Sequence, residues 1–212
     1  MYIAGSCEAG PSLKKNMSTH EESSKKAMTA GGSRLAIFCC GEFSLKINDV
    51  NLYINHKKAY EMLAYLAVNR GRPMNKYNIS SHLWEASDEI CAMDSLYKTY
   101  ASLKKEIHHA GFCPIGSITN KLFLDQEQVY CDLWEFEQLY ADKNLTNWEK
   151  AERLYKGELF GGEAYSWLVE YEGRYEIMYY EIVEYLLSYH REKHSAEKVR
   201  YYENRLRLLG ME

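Results

Sequence analysis

Long apolar runs are missing from this 212-residue chain. The two longest, LAIFCC and MLAYLAV, fall far short of the roughly 18–20 residues a membrane helix requires, so no membrane span is expected. The opening MYIAGSCEAGPSLKKN has no basic segment ahead of its short apolar start and is not read as a signal peptide. No Cys-x-x-Cys pair occurs among Cys7, Cys39, Cys40, Cys91, Cys113 and Cys131. That spacing is too sparse for a zinc site or a disulfide-built secreted domain, so free thiols in a reducing cytoplasm are expected, without metal. There is no glycine-rich phosphate loop, no His-Glu-x-x-His and no Gly-x-Ser-x-Gly. The many carboxylates have no pairing pattern, and an enzyme or a bound cofactor is not expected. An overall basic charge is also lacking: the formal net charge is −4.

What is present is unevenly distributed. Residues 1–34 carry 5 Lys+Arg against 3 Asp+Glu, residues 35–131 carry 10 against 10, and residues 132–212 carry 11 against 17. Any DNA contact must therefore be a local patch in the neutral middle, while the acidic C-terminal part suits protein partners. Residues 1–34, rich in Ser, Lys, Gly, Ala and Thr, read as a disordered tail or linker.

From Leu35 the pattern changes. Leu35, Ile37, Phe43, Leu45, Ile47, Leu52 and Ile54 alternate with other residues, and Asn48-Asp49 suits a tight turn, which predicts a small antiparallel sheet. Ala59, Met62, Leu63, Leu66 and Ala67 predict a helix over 57–69, stopped by Gly71 and Pro73. A shorter helix is predicted over 76–84 and a third over 92–110. CPIGSITNKLFLD then reads as a hairpin with Thr119-Asn120-Lys121 at its tip. Sheet, three helices and hairpin in this order describe an α+β winged helix-turn-helix domain over 35–131. Residues 132–212 read as an all-α, tetratricopeptide-like helical domain, although the strict repeat consensus is absent. Asp132 is the expected N-cap of its first helix, Trp134 and Phe136 are expected to join the two domains, and Trp167 is expected to pack among the C-terminal helices.

The third helix has two faces. Leu96, Tyr100, Leu103 and Ile107 form the core stripe. Lys98 and Lys105 lie roughly opposite with Ala101 and Ser102 between them, and Tyr97 and Lys104 flank. Short central side chains let a helix sit deep in a groove, and terminal cations reach phosphates or guanine edges. Lys121 at the hairpin tip, the Lys57–Lys58 pair and the Arg70–Arg72 pair are candidate backbone clamps. Asp94 opposes this role, because a carboxylate repels phosphate. His108 and His109 read as a solvated helix end rather than metal ligands.

LAIFCCGEFSLKINDVNLYINHKKAYEMLAYLAVNRGRPMNKYNISSHLW resembles the OmpR-type winged helix of SARP-type bacterial transcriptional regulators. DLWEFE and YKGELFGGEAYSWLVEYEGRY are similar to landmarks of that family's bacterial transcriptional activator domain. The resemblance covers about residues 35–212. It implies binding to repeated promoter sites in double-stranded DNA, often as a homodimer, and recruitment of RNA polymerase. The chain departs from the pattern in its recognition helix, which has lysines where the family commonly has arginines; lysine cannot make arginine's two-point contact with guanine. The alternative expectation is a protein-interaction module whose winged helix no longer binds DNA.

Overall fold

The computed structural model describes residues 34–108 and 112–209. The expected tail over 1–34 lies outside them apart from Arg34. Strand β1 (Leu35–Phe38) pairs antiparallel with β2 (Ser44–Ile47), which pairs with β3 (Val50–Asn51). Asn48 and Asp49 both take positive φ, 50° and 68°, the turn that matches strand twist and that Asn and Asp tolerate. This sheet gains a fourth strand that the sequence reading missed. β7 (Val129–Cys131) lies parallel to β1 on its other side, giving the order β3-β2-β1-β7.

Helix α1 (Lys57–Val68) is buried almost all round, from Glu61 through Val68. Its alanines at 59, 64 and 67 are fully buried and allow neighbours to approach closely. Gly71 follows at φ +66°, where an added Cβ would meet the Leu124 carbonyl oxygen at 2.6 Å. Strand β4 (Met74–Asn75) leads into α2 (Lys76–Leu83), and the Asn75 side chain caps that helix by accepting from the Tyr77 N–H at 2.9 Å.

Helix α3 spans Glu89–His108 and starts three residues earlier than expected. The reason is Asp88, whose carboxylate accepts from the Cys91 N–H at 3.0 Å and provides the first turn with a cap. The hairpin follows as β5 (Ile115–Ile118) and β6 (Lys121–Leu124), with the turn at Thr119-Asn120. β4 pairs with β6, so this second sheet has the order β4-β6-β5.

Helices α4 (Asp132–Ala141), α5 (Leu145–Leu154), α6 (Val169–Glu192) and α7 (Ala196–Leu208) pack successively on one another. Asp132 is not the N-cap of α4, a position held by Cys131. It is instead the buried first residue of α4, and its carboxylate accepts from the Cys39 N–H at 2.7 Å and the Cys40 N–H at 3.1 Å. Burial pushes its pKa up to about 6 although these donors pull the other way.

One continuous set of buried residues runs from Leu35 to Tyr202. The segment between α5 and α6 returns to the first sheet, where Phe160 N–H donates to the Cys39 carbonyl at 2.8 Å and Phe43 meets the Phe160 ring edge-on at 4.9 Å. Trp167 meets its expectation in part, since it packs edge-on against Tyr171 of α6 at 6.2 Å, but it also reaches the first region. It packs edge-on against Tyr65 of α1 at 5.1 Å, and its indole N–H donates to Glu61 of α1 at 3.2 Å. Trp134 does tie α4 to α1, donating to the Ala67 carbonyl at 2.7 Å. Phe136 faces Tyr155 and Tyr175 in the helical part instead.

Candidate nucleic-acid interface

The inner stripe of α3 is as periodicity predicts: Leu96, Leu103 and Ile107 are buried and Tyr100 partly so. The opposite face is open to solvent. Tyr97, Lys98, Ala101, Lys104 and Lys105 are all exposed there. Ser102 is half-buried, and its hydroxyl donates to Glu106 at 3.4 Å, so it contributes less to that face than its neighbours. Lys98 is paired with Asp94 one turn earlier at 2.6 Å, and that carboxylate raises the ammonium pKa above its ordinary value. Both partners are exposed, so the pair is weak and readily exchanged for another anion.

The hairpin is held beside this face by a short chain of contacts. Lys76 N–H donates to the Asn120 carbonyl at 2.9 Å, and the Asn120 side-chain amide donates to Asn75 at 3.3 Å. The Lys76 ammonium lies 3.5 Å from the Thr119 carbonyl oxygen and 5.3 Å from the centre of the Tyr97 ring. The N-terminus of α2, the middle of α3 and the hairpin turn therefore meet at one residue. Lys121 is exposed where β6 pairs with Asn75, and exposed Arg72 lies two residues ahead of β4.

The other cations separate from this group. Lys58 donates to the Leu83 carbonyl, so it and exposed Lys57 belong to the opposite end of α2 from Lys76. Lys58 also pairs with Glu61 at 2.7 Å. Arg70 is not a free clamp: it pairs with buried Glu137 of α4 at 2.9 Å, which also receives Arg174 at 3.3 Å and the Tyr175 hydroxyl at 2.6 Å.

No protein-family model matches the chain. No curated protein matches it. Among solved structures, EmbR of Mycobacterium tuberculosis in complex with a low-affinity phosphopeptide is similar, with a TM-score of 0.49 and 16% identity over 84% of this chain. This chain covers 56% of that one. No helix among the described residues is long and apolar enough to cross a membrane.

The sequence reading found the α3 face but missed Lys76 and the exposed Tyr77 and Ile118 beside it. A signal for Lys76 existed: it directly follows a capping Asn, at the first position of a helix with no acidic residue in its first turn.

Proposed function

We propose that the chain is a sequence-specific DNA-binding transcriptional regulator, a winged helix-turn-helix followed by a tetratricopeptide-like helical part. One observation carries this reading: the lysine-bearing outer face of α3 and the turn of the hairpin stand side by side, joined through Lys76. In a helix-turn-helix protein the second helix of the motif enters the major groove, a place α3 fills here. Ala101 keeps the centre of its face short, Lys98, Lys104 and Lys105 reach phosphates or base edges, and Lys121 and Arg72 take flanking backbone.

The helical part repels DNA through its acidic excess and is left to protein contacts. The resemblance of residues 35–212 to SARP-type regulators supports an activator that binds promoter repeats as a homodimer and recruits RNA polymerase. Selection from a random duplex library tests the reading. The protein should enrich a shared motif present as spaced repeats; enrichment no greater than with bovine serum albumin overturns it.

A second reading, a protein-interaction module, is favoured by the first half of α3. Glu89 and Asp94 are acidic there, which suits a polypeptide partner better than a phosphate backbone.

A further inference from the structure

Six polar or charged residues are buried among the described ones: Glu61, Lys76, Ser80, Asp132, Glu137 and Glu152. Each carboxylate among them has a compensating donor. Glu61 has Lys58, Glu137 has Arg70 and Arg174, and Glu152 has Arg205. Asp132 accepts two backbone N–H groups. Lys76, at 9% exposure, pairs with no carboxylate among the described residues. Among the described residues its ammonium meets the Thr119 carbonyl oxygen at 3.5 Å and the Tyr97 ring at 5.3 Å.

A buried charge without its opposite is costly, and an anion from outside that reached it would offset that cost. Three further features point the same way. The cation sits at the first position of α2, where the helix dipole is positive, and no acidic residue occupies that first turn. The ring of Tyr97 and the Thr119-Asn120 turn flank it, and both belong to the surface assigned above to DNA. Tyr97 is 48% exposed, so the position is covered by a side chain that solvent reaches rather than sealed in the core.

We propose that Lys76 is the seat of one phosphodiester group of the DNA backbone, at the junction of α2, α3 and the hairpin turn. The phosphate supplies the missing counter-charge and fixes how deeply α3 enters the groove. This inference rests on the DNA-binding reading and adds to it a contact residue that belongs to α2 rather than to α3 or the hairpin.

The test compares wild type, Lys76→Met and Lys76→Arg by fluorescence anisotropy on one selected duplex across a salt series, alongside thermal melts of the free proteins. Lys76→Met keeps the aliphatic stem and removes the uncompensated charge. It should melt no lower than wild type, bind about tenfold more weakly and lose about one unit from the slope of log K against log salt. Lys76→Arg should keep most of the affinity and the wild-type slope. Should Lys76→Met fail to fold, Lys76→Gln replaces it; failure of both shows that the charge serves the fold and overturns the proposal. Wild-type affinity and slope in a folded Lys76→Met also overturn it, leaving the DNA-binding reading intact. Absence of duplex binding by wild type overturns both.

Discussion

Lys98 and Lys105 are two turns apart on the outer face of α3, and neither helps to bury apolar surface. Lys98→Ala/Lys105→Ala should therefore melt within a degree or two of wild type and lose duplex affinity; an unchanged affinity in an anisotropy titration removes this face from the interface. Asp94 offsets Lys98 from the same helix. Asp94→Asn should bind duplex several-fold more tightly, since it removes a charge that repels phosphate and frees the ammonium. Asp132 gives a pH signature. Its folded pKa, near 6, lies above its ordinary 3.8, so the folded state binds the proton more tightly than the unfolded one. The stability this contributes is fully present below about pH 4 and is lost as pH rises through 6. Asp132→Asn cannot titrate there. Between pH 4 and 7 its stability should improve relative to wild type by about 2–3 kcal/mol, measured by urea unfolding; parallel curves contradict the assignment.

At the scale of elements, periodicity made α1 and α3 legible because one face of each meets the core at helical spacing. Leu96, Leu103 and Ile107 are buried as their spacing requires. The beginning of α3 was not, because the deciding signal is a single cap, Asp88, set among residues without apolar rhythm. β7 was not legible either. It is three residues long, and its partner β1 lies more than ninety positions earlier in the chain, so no local pattern announces the pairing. The hairpin was found by its alternation, but its packing was not. Gly116 faces Phe123 across the pair, and a Cβ there would lie 2.2 Å from the ring. Gly116→Ala should displace that ring, costing about 1–3 kcal/mol in chemical denaturation, and should weaken duplex binding by moving the turn away from Lys76. A variant with wild-type stability and affinity contradicts this packing.

At the scale of the whole molecule, the helical part does not simply follow the first region; it is clasped to it. Trp167 reaches back to Tyr65 and Glu61, Trp134 to Ala67, and Glu137 to Arg70. Nothing local in the sequence separates a Trp that packs only among its own helices from one that also reaches α1, which is why the α1 side of Trp167 was not legible. Its aromatic neighbours Tyr165 and Tyr171 are equally compatible with either setting. Trp167→Ala should remove this clasp and leave Glu61 without its indole donor, costing about 3–5 kcal/mol by urea denaturation; a loss under 1 kcal/mol contradicts the packing described.

The central claim is that the lysine face of α3 and the adjoining hairpin grip duplex DNA through several phosphates at once. Anisotropy titration of the wild-type chain with a promoter-length duplex at 50 and 200 mM salt tests it most directly. Several simultaneous phosphate contacts predict binding at the lower concentration and a fall of about tenfold or more at the higher one. No binding at 50 mM salt, or an affinity indifferent to salt, contradicts it.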